Sequence, residues 1–211
     1  MEGIKVKGFW IKFIAIVTAW SIIFSFSGCS KRQKSKSVGA AQTQLEKQKL
    51  EIKSFVKQYY ESEVPKDEKY LKDFFINPNI ADIQFMKNKL KIFNIEKIKF
   101  NGIYNIKSSG RLAAMTGSFN AYFKNIPSSR PDVEIVMLIK KNNKWYFLND
   151  DSMLNETELM WENNQKQIQN KFIVNDKNMN KILETNKIFD EANKGYMDQC
   201  KEKFVSSQSG K

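Results

Sequence analysis

Histidine is the commonest general base and metal ligand at neutral pH, and this chain of 211 residues has none. A Ser-His-Asp triad, a Cys-His dyad and a His-containing zinc site are therefore excluded. The two cysteines, Cys29 and Cys200, cannot build a disulfide framework or a Cys-rich zinc module. Asp82, Asp132, Asp150 and Asp151 are acids near the ends of elements, and no spacing forces any of them into a pocket. The Asp150-Asp151 pair reads as a solvated turn and helix cap. There is no Asp-x-Asp-x-Asp-Gly loop for calcium, no Gly-rich phosphate loop and no nucleophile elbow. The residues thus assign no catalytic group, no metal and no cofactor. An enzyme would need buried acids facing a pocket with strongly shifted pKa values.

The N-terminus carries a different signal. Lys5, Lys7 and Lys12 face a single acid, Glu2, and the uncharged run Phe13–Phe26 follows. As a helix it would cover roughly 21 Å, short of the ~30 Å hydrocarbon core. A basic start and a short apolar run are the layout of a secretory signal peptide. The other reading is an uncleaved anchor, extended through Phe9–Ile11 if Lys12 snorkels. Phe26-Ser27-Gly28-Cys29 then resembles the lipobox of bacterial lipoproteins, with Phe26 where the family usually has Leu. The resemblance implies cleavage between Gly28 and Cys29, and a diacylglycerol on the Cys29 thiol with acyl chains such as palmitate. Two chains suffice for stable anchoring. It also implies residence on the extracytoplasmic face of the cell membrane. The abundance of Lys and Asn fits an AT-rich genome, such as that of a low-GC Gram-positive bacterium.

The formal charge is +12. Removing residues 1–28 takes away three Lys and one Glu and leaves +10. Lys31, Arg32, Lys34 and Lys36 carry four of those charges, so the remainder holds +6. These four basic residues lie in an acid-free tether, 29–44, beside the expected lipid, where anionic head groups attract them. Ser, Gln, Ala and Gly also make that stretch a flexible spacer. Nucleic acid is not an expected partner of an exported chain.

Beyond the tether, helical periodicity covers 45–62 through Leu45, Ile52, Phe55, Val56, Tyr59 and Tyr60. Asp67 caps a second helix reaching Phe75, and 80–91 reads as a third. From Ile95 the period becomes two. The first strand places Ile98, Phe100, Gly102, Tyr104 and Ile106 on one face, with a bulge at Gly102-Ile103. Strands over 112–124, 133–139 and 145–148 follow, the third apolar enough to be central. Asn155-x-x-Glu158 reads as a capping box, opening a helix whose sparse apolar residues suggest exposure on one side. Asp176 caps a last helix to about 203, with Cys200 on its buried stripe.

This order gives an α+β fold: N-terminal helices packed on a curved four-stranded antiparallel sheet, followed by C-terminal helices. Its organisation is a signal peptide over 1–28, a lipidated Cys and tether over 29–44, an α+β domain over 45–150 and a helical extension over 151–211. Three helices before a sheet closed by Lys-Lys-Asn-Asn-Lys-Trp-Tyr-Phe resemble the nuclear transport factor 2-like fold. That family contains enzymes, binding pockets and scaffolds, and its catalytic members commonly place an Asp and a His, or a Tyr with Asp, inside the cone. Two arrangements are open to 151–211: a wrap over the mouth of the sheet, or a separate helical hairpin. Phe100, Tyr104, Phe119, Phe123, Trp145 and Phe147 would line a pocket if the sheet curves, and otherwise form core. The expectation is a non-enzymatic lipoprotein that binds or scaffolds another envelope protein, with a small apolar-ligand carrier or sensor as the alternative.

Overall fold

The computed structural model of the chain describes residues 37–209. The expected signal peptide, Cys29 and the basic residues Lys31, Arg32, Lys34 and Lys36 lie outside the described residues. The elements are α1 (Ser37–Ser62), α2 (Glu68–Lys72), α3 (Ile83–Ile92), β1 (Ile95–Ser109), β2 (Leu112–Phe123), β3 (Arg130–Lys141), β4 (Lys144–Phe147), α4 (Glu156–Asn175), α5 (Lys177–Ala192) and α6 (Lys194–Ser209). The fold is α+β. The sheet is an antiparallel meander in the order β1-β2-β3-β4, with helices on both faces.

Helix starts follow local side-chain chemistry. Asp67 accepts from the Tyr70 N–H, Asp82 from Phe85 and Asp176 from Asn178 and Met179. Asn155 and Glu158 form the reciprocal capping box. Asn142 and Asn143, with φ of 50° and 61°, supply the left-handed pair that a tight β3–β4 hairpin requires.

Several boundaries differ from the sequence reading. α1 begins at Ser37, so 37–44 is helix rather than flexible tether. Ala40, Ala41, Gln42 and Gln44 are strong helix formers continuous with the amphipathic run. α2 stops at Lys72. Phe74–Ile76 instead lie along β4, where the Ile76 N–H donates to the Phe147 carbonyl at 3.0 Å and the Phe147 N–H to Phe74 at 2.8 Å. This covers one sheet edge. The third helix begins at Ile83, preceded by a 3-10 turn at Pro78–Ile80. The last helix breaks at Asn193, whose backbone closes α5 before α6 begins.

Residues 151–211 pack against the rest of the domain and do not form a separate hairpin. α4 and α5 pack on the reverse face of the sheet, and α6 reaches α3, where Phe204 meets Phe85 with ring centroids 4.9 Å apart. β2 is consequently buried at every position from Leu112 to Phe119. α4 also turns an unexpected face inward. It buries Glu162, Gln165, Gln169 and Ile173, while Met160 is 74% exposed. Gln169 accepts from the Thr116 hydroxyl at 2.9 Å and donates to the Asn105 carbonyl at 2.9 Å. Polar positions on β2 thus select polar positions on α4, since buried polar groups must be paired.

The front face carries the main core. Ile52, Val56, Tyr59 and Tyr60 of α1 pack against Ile98, Phe100, Ala113, Met115, Phe119, Val136, Leu138, Trp145 and Phe147. Tyr60 stacks on Phe119 at 4.9 Å, and Tyr59 meets Phe147 at 4.5 Å. Gly117 makes this approach possible: a Cβ there would meet the Tyr60 hydroxyl at 3.4 Å and Val136 Cγ2 at 3.2 Å. The Tyr60 hydroxyl is buried without a hydrogen-bond partner. Tyr60→Phe is therefore expected to leave stability unchanged or raise it. Tyr60→Ala should cost about 3–5 kcal/mol, both read from urea midpoints. A clear loss in Tyr60→Phe would reveal a hydrogen bond at that hydroxyl.

Candidate functional site

The ends of α1, α3 and β3 bring ionisable groups together in the interior. Tyr59 and Glu63 are one helical turn apart, and the Tyr59 hydroxyl hydrogen-bonds the Glu63 carboxyl. Lys87 of α3 donates from Nζ to the carbonyls of Glu63 and Val64 at 2.7 and 3.0 Å, satisfying acceptors just past the end of α1. On β3, Asp132 and Glu134 share the face of Val136 and Leu138, by the strand's period of two. Glu134 lies opposite Gly117 in the β2–β3 register, beside the position of the Tyr60 ring.

Burial dominates the electrostatics. Glu63 is pushed up to about 8, desolvation outweighing the Tyr59 hydrogen bond and the nearby charges of Lys87 and Lys89. Glu134 also rises to about 8 through desolvation alone. Its side chain is only half-buried, so solvent limits that rise. Lys89 is lowered to about 8 by burial, partly offset by Asp132. Burial raises Asp132 and lowers Lys87, against the pull of their charged neighbours. Arg130 bridges the end of this cluster to α5. Its Nε and Nη2 donate to the two Asp190 carboxylate oxygens at 2.7 and 3.0 Å, and Nη1 donates to Asp132 at 2.5 Å. Burial thus favours the protonated form of Glu63 most, and that of Glu134 to a lesser degree.

A groove of about 360 Å³ lies beside this cluster, its lining including Val64, Leu90 and Ile95 together with Lys87, Lys91 and Lys124. Lys87 joins the groove to the cluster; Glu63 and Glu134 do not line it. Among the described residues, no group of His, Cys, Asp and Glu side chains could hold a metal ion.

The aromatic residues expected around a pocket do not share one. Phe100, Phe119, Trp145 and Phe147 are buried in the core beneath α1. Phe123 packs on Phe189 of α5 at 5.2 Å. Tyr104 lies on the reverse face with Val133 and Met179, because the register shift between Phe100 and Gly102 moves it out of phase with Phe100 and opposite Thr116. Asp82 and Asp150 are caps: Asp150 accepts from Ser152 and from Asn77 Nδ2, the latter at 2.6 Å. Cys200 is buried with its thiol 3.4 Å from the Ile92 carbonyl. Of the acids considered in the sequence, only Asp132 joins the cluster. Glu134 was detectable as the lone charge in Val133–Ile139. Glu63 had no comparable signal at an ordinary helix end.

No protein-family model matches the chain, and no curated protein matches it. Solved structures give two loose likenesses. An Ntf2-like protein involved in plasmid conjugation aligns with a TM-score of 0.31 and 17% identity over 63% of this chain and 46% of that one, so less than half of its length is matched. A candidate NTF2-like transpeptidase from Campylobacter jejuni aligns with a TM-score of 0.30 and 18% identity over 55% of this chain and 100% of its own. Both carry the fold name that the element order suggested, but alignments this loose carry no argument about family or activity.

The buried acids make stability pH-dependent. Above about pH 4.5 the unfolded chain has released protons that folded Glu63, and to a lesser degree Glu134, still bind, so stability falls as pH rises toward about 8. Glu158, held at about 2 by Arg111, acts oppositely: its stabilisation is present above about pH 4.5 and lost toward pH 2. The melting temperature is expected to peak near pH 5 and decline toward pH 8, with a shallower decline in Glu134→Gln. An identical slope in that variant would mean that Glu134 ionises freely in the folded protein.

Proposed function

We propose that the chain is a membrane-anchored extracytoplasmic lipoprotein whose α+β domain is a non-enzymatic protein-binding or scaffold module of the cell envelope. The observation that carries the binding reading is the outward face of α4. Leu159, Met160 and Val174 are 36%, 74% and 51% exposed while the same helix buries Glu162, Gln165 and Gln169. Exposed apolar residues on a helix that buries polar ones suit contact with another protein. The anchor is supported by the lipobox-like Phe26-Ser27-Gly28-Cys29 after a short apolar run. Among the described residues, no helix is long and apolar enough to cross a membrane.

The alternative of an apolar-ligand carrier needs a cavity bounded by Phe119, Phe123 and Trp145. Tyr60 stands against Phe119, and Phe123 is stacked on Phe189, so packing opposes that reading. Glu63 and Glu134 have the shifted acidity that an enzyme would require, but neither borders the groove beside them.

Intact mass of protein extracted from native membranes tests the anchor. The expected mass lacks residues 1–28 and includes a diacylglycerol that a Cys29→Ala variant cannot carry. An intact N-terminus in both would identify Phe9–Phe26 as the anchor instead. Reversible crosslinking in membranes tests the binding role: one reproducible partner is expected, and Met160→Lys/Val174→Lys should lose it while keeping the wild-type melting temperature. No reproducible partner would refute the scaffold reading.

A further inference from the structure

We propose that the end of the domain carrying the β1–β2 and β3–β4 turns is a docking surface for an anionic lipid bilayer. This rests on the membrane-anchored reading above and adds an orientation to it. The two turns lie at the same end of the sheet, since Leu112 pairs with Ile139 and Ser109 with Leu112. Charge collects there. Arg111, Lys140, Asn142 and Asn143 line a groove of about 440 Å³ between the turns. Arg111 is paired with Glu158 at 2.8 Å, and Lys140 with Glu51 at 3.5 Å. Lys107, Lys141 and Lys144 are exposed and have no acid within ion-pair distance among the described residues. This leaves an uncompensated basic rim around a polar groove, which suits phosphate-bearing head groups.

α1 starts at the same end of the sheet as that rim. Tyr60 lies over Gly117, and the Glu51–Lys140 ion pair sits toward the turns, so α1 starts at the turn end and finishes at the other. From Gly117 to Gly110 the sheet descends about 23 Å at ~3.3 Å per residue. The same descent along a helix takes about 15 residues, reaching the vicinity of Leu45. Consistent with this, Leu45 and Leu50 are exposed, whereas Ile52 is fully buried. Only about 12 Å of α1 extends beyond the turns. Seven residues then separate Ser37 from Cys29, and the eight steps between them reach at most ~28 Å. A chain held at Cys29 is therefore short enough for the basic end, rather than the β2–β3 loop end, to meet the surface.

The test uses the full chain inserted by its own anchor into vesicles of phosphatidylglycerol or of phosphatidylcholine containing a lipid-borne quencher. A fluorophore is placed at Ser108→Cys beside the turns or at Ser128→Cys in the opposite loop, both exposed positions. Cys200 is buried and Cys29 carries the lipid in this reading. Quenching at residue 108 in phosphatidylglycerol is expected to exceed that at 128 several-fold. It should fall in phosphatidylcholine, at high salt and in Lys141→Glu/Lys144→Glu. Equal quenching at the two positions, or no effect of lipid charge or of the double variant, would overturn the docking surface while flotation with the vesicles leaves anchoring intact. A chain that fails to float would overturn both.

Discussion

The seating of Tyr59 and Tyr60 on the sheet organises the front of the molecule. Gly117 lets a tyrosine ring approach β2, and the rings then stack on Phe119 and meet Phe147. This fixes the position of α1 along the sheet. It fills the space between α1 and β2, and it places Glu63 at the helix end beside Lys87. The same packing that fills the space beneath α1 also buries Glu63, and burial pushes its carboxyl up. Core packing and perturbed acidity have one cause, the exclusion of water by aromatic side chains.

The reverse face works by a different rule. β2 presents Thr116 and Ser118 there, both fully buried, and α4 answers with Gln169, Gln165 and Glu162. Gln169 is well bonded, and Lys166 reaches Glu162 at 2.6 Å, but one oxygen each of Glu162 and Gln165 has no partner. The layer is held by specific hydrogen bonds and by the flanking apolar groups around Ile173 and Trp161. Hydrogen-bonded interiors constrain register more than they add net stability. With its polar stripe turned inward, α4 leaves Met160 and Val174 outward.

The two ends of the sheet also differ in character. At the turn end, exposed lysines surround an open groove. At the loop end, Arg130 is locked between Asp132 and Asp190, and its charge is used to join β3 to α5. Because α1 begins at the turn end, attachment through the N-terminus would give these ends unequal access to a membrane. Polarity of this kind comes from the directions of α1 and β2 rather than from overall charge.

Local chemistry was legible in the sequence. The caps at Asp67, Asn155 and Asp176, the Asn142-Asn143 turn and the four-strand meander each depend on a few neighbouring residues. The lone Glu134 in an apolar strand could also have been noticed. Other features depend on groups far apart in the chain. The fate of Phe100, Phe119 and Trp145 turned on α1 occupying their face, and that of Tyr104 on where β1 shifts register. α4 reads as a poor amphipathic helix because its inward face is polar, which makes sense only beside Thr116. The raised pKa of Glu63 comes from a burial that no local pattern encodes. Sequence determined the elements through short-range capping, turn geometry and side-chain period; tertiary structure decided which faces met, because burial and desolvation are properties of the partner surface.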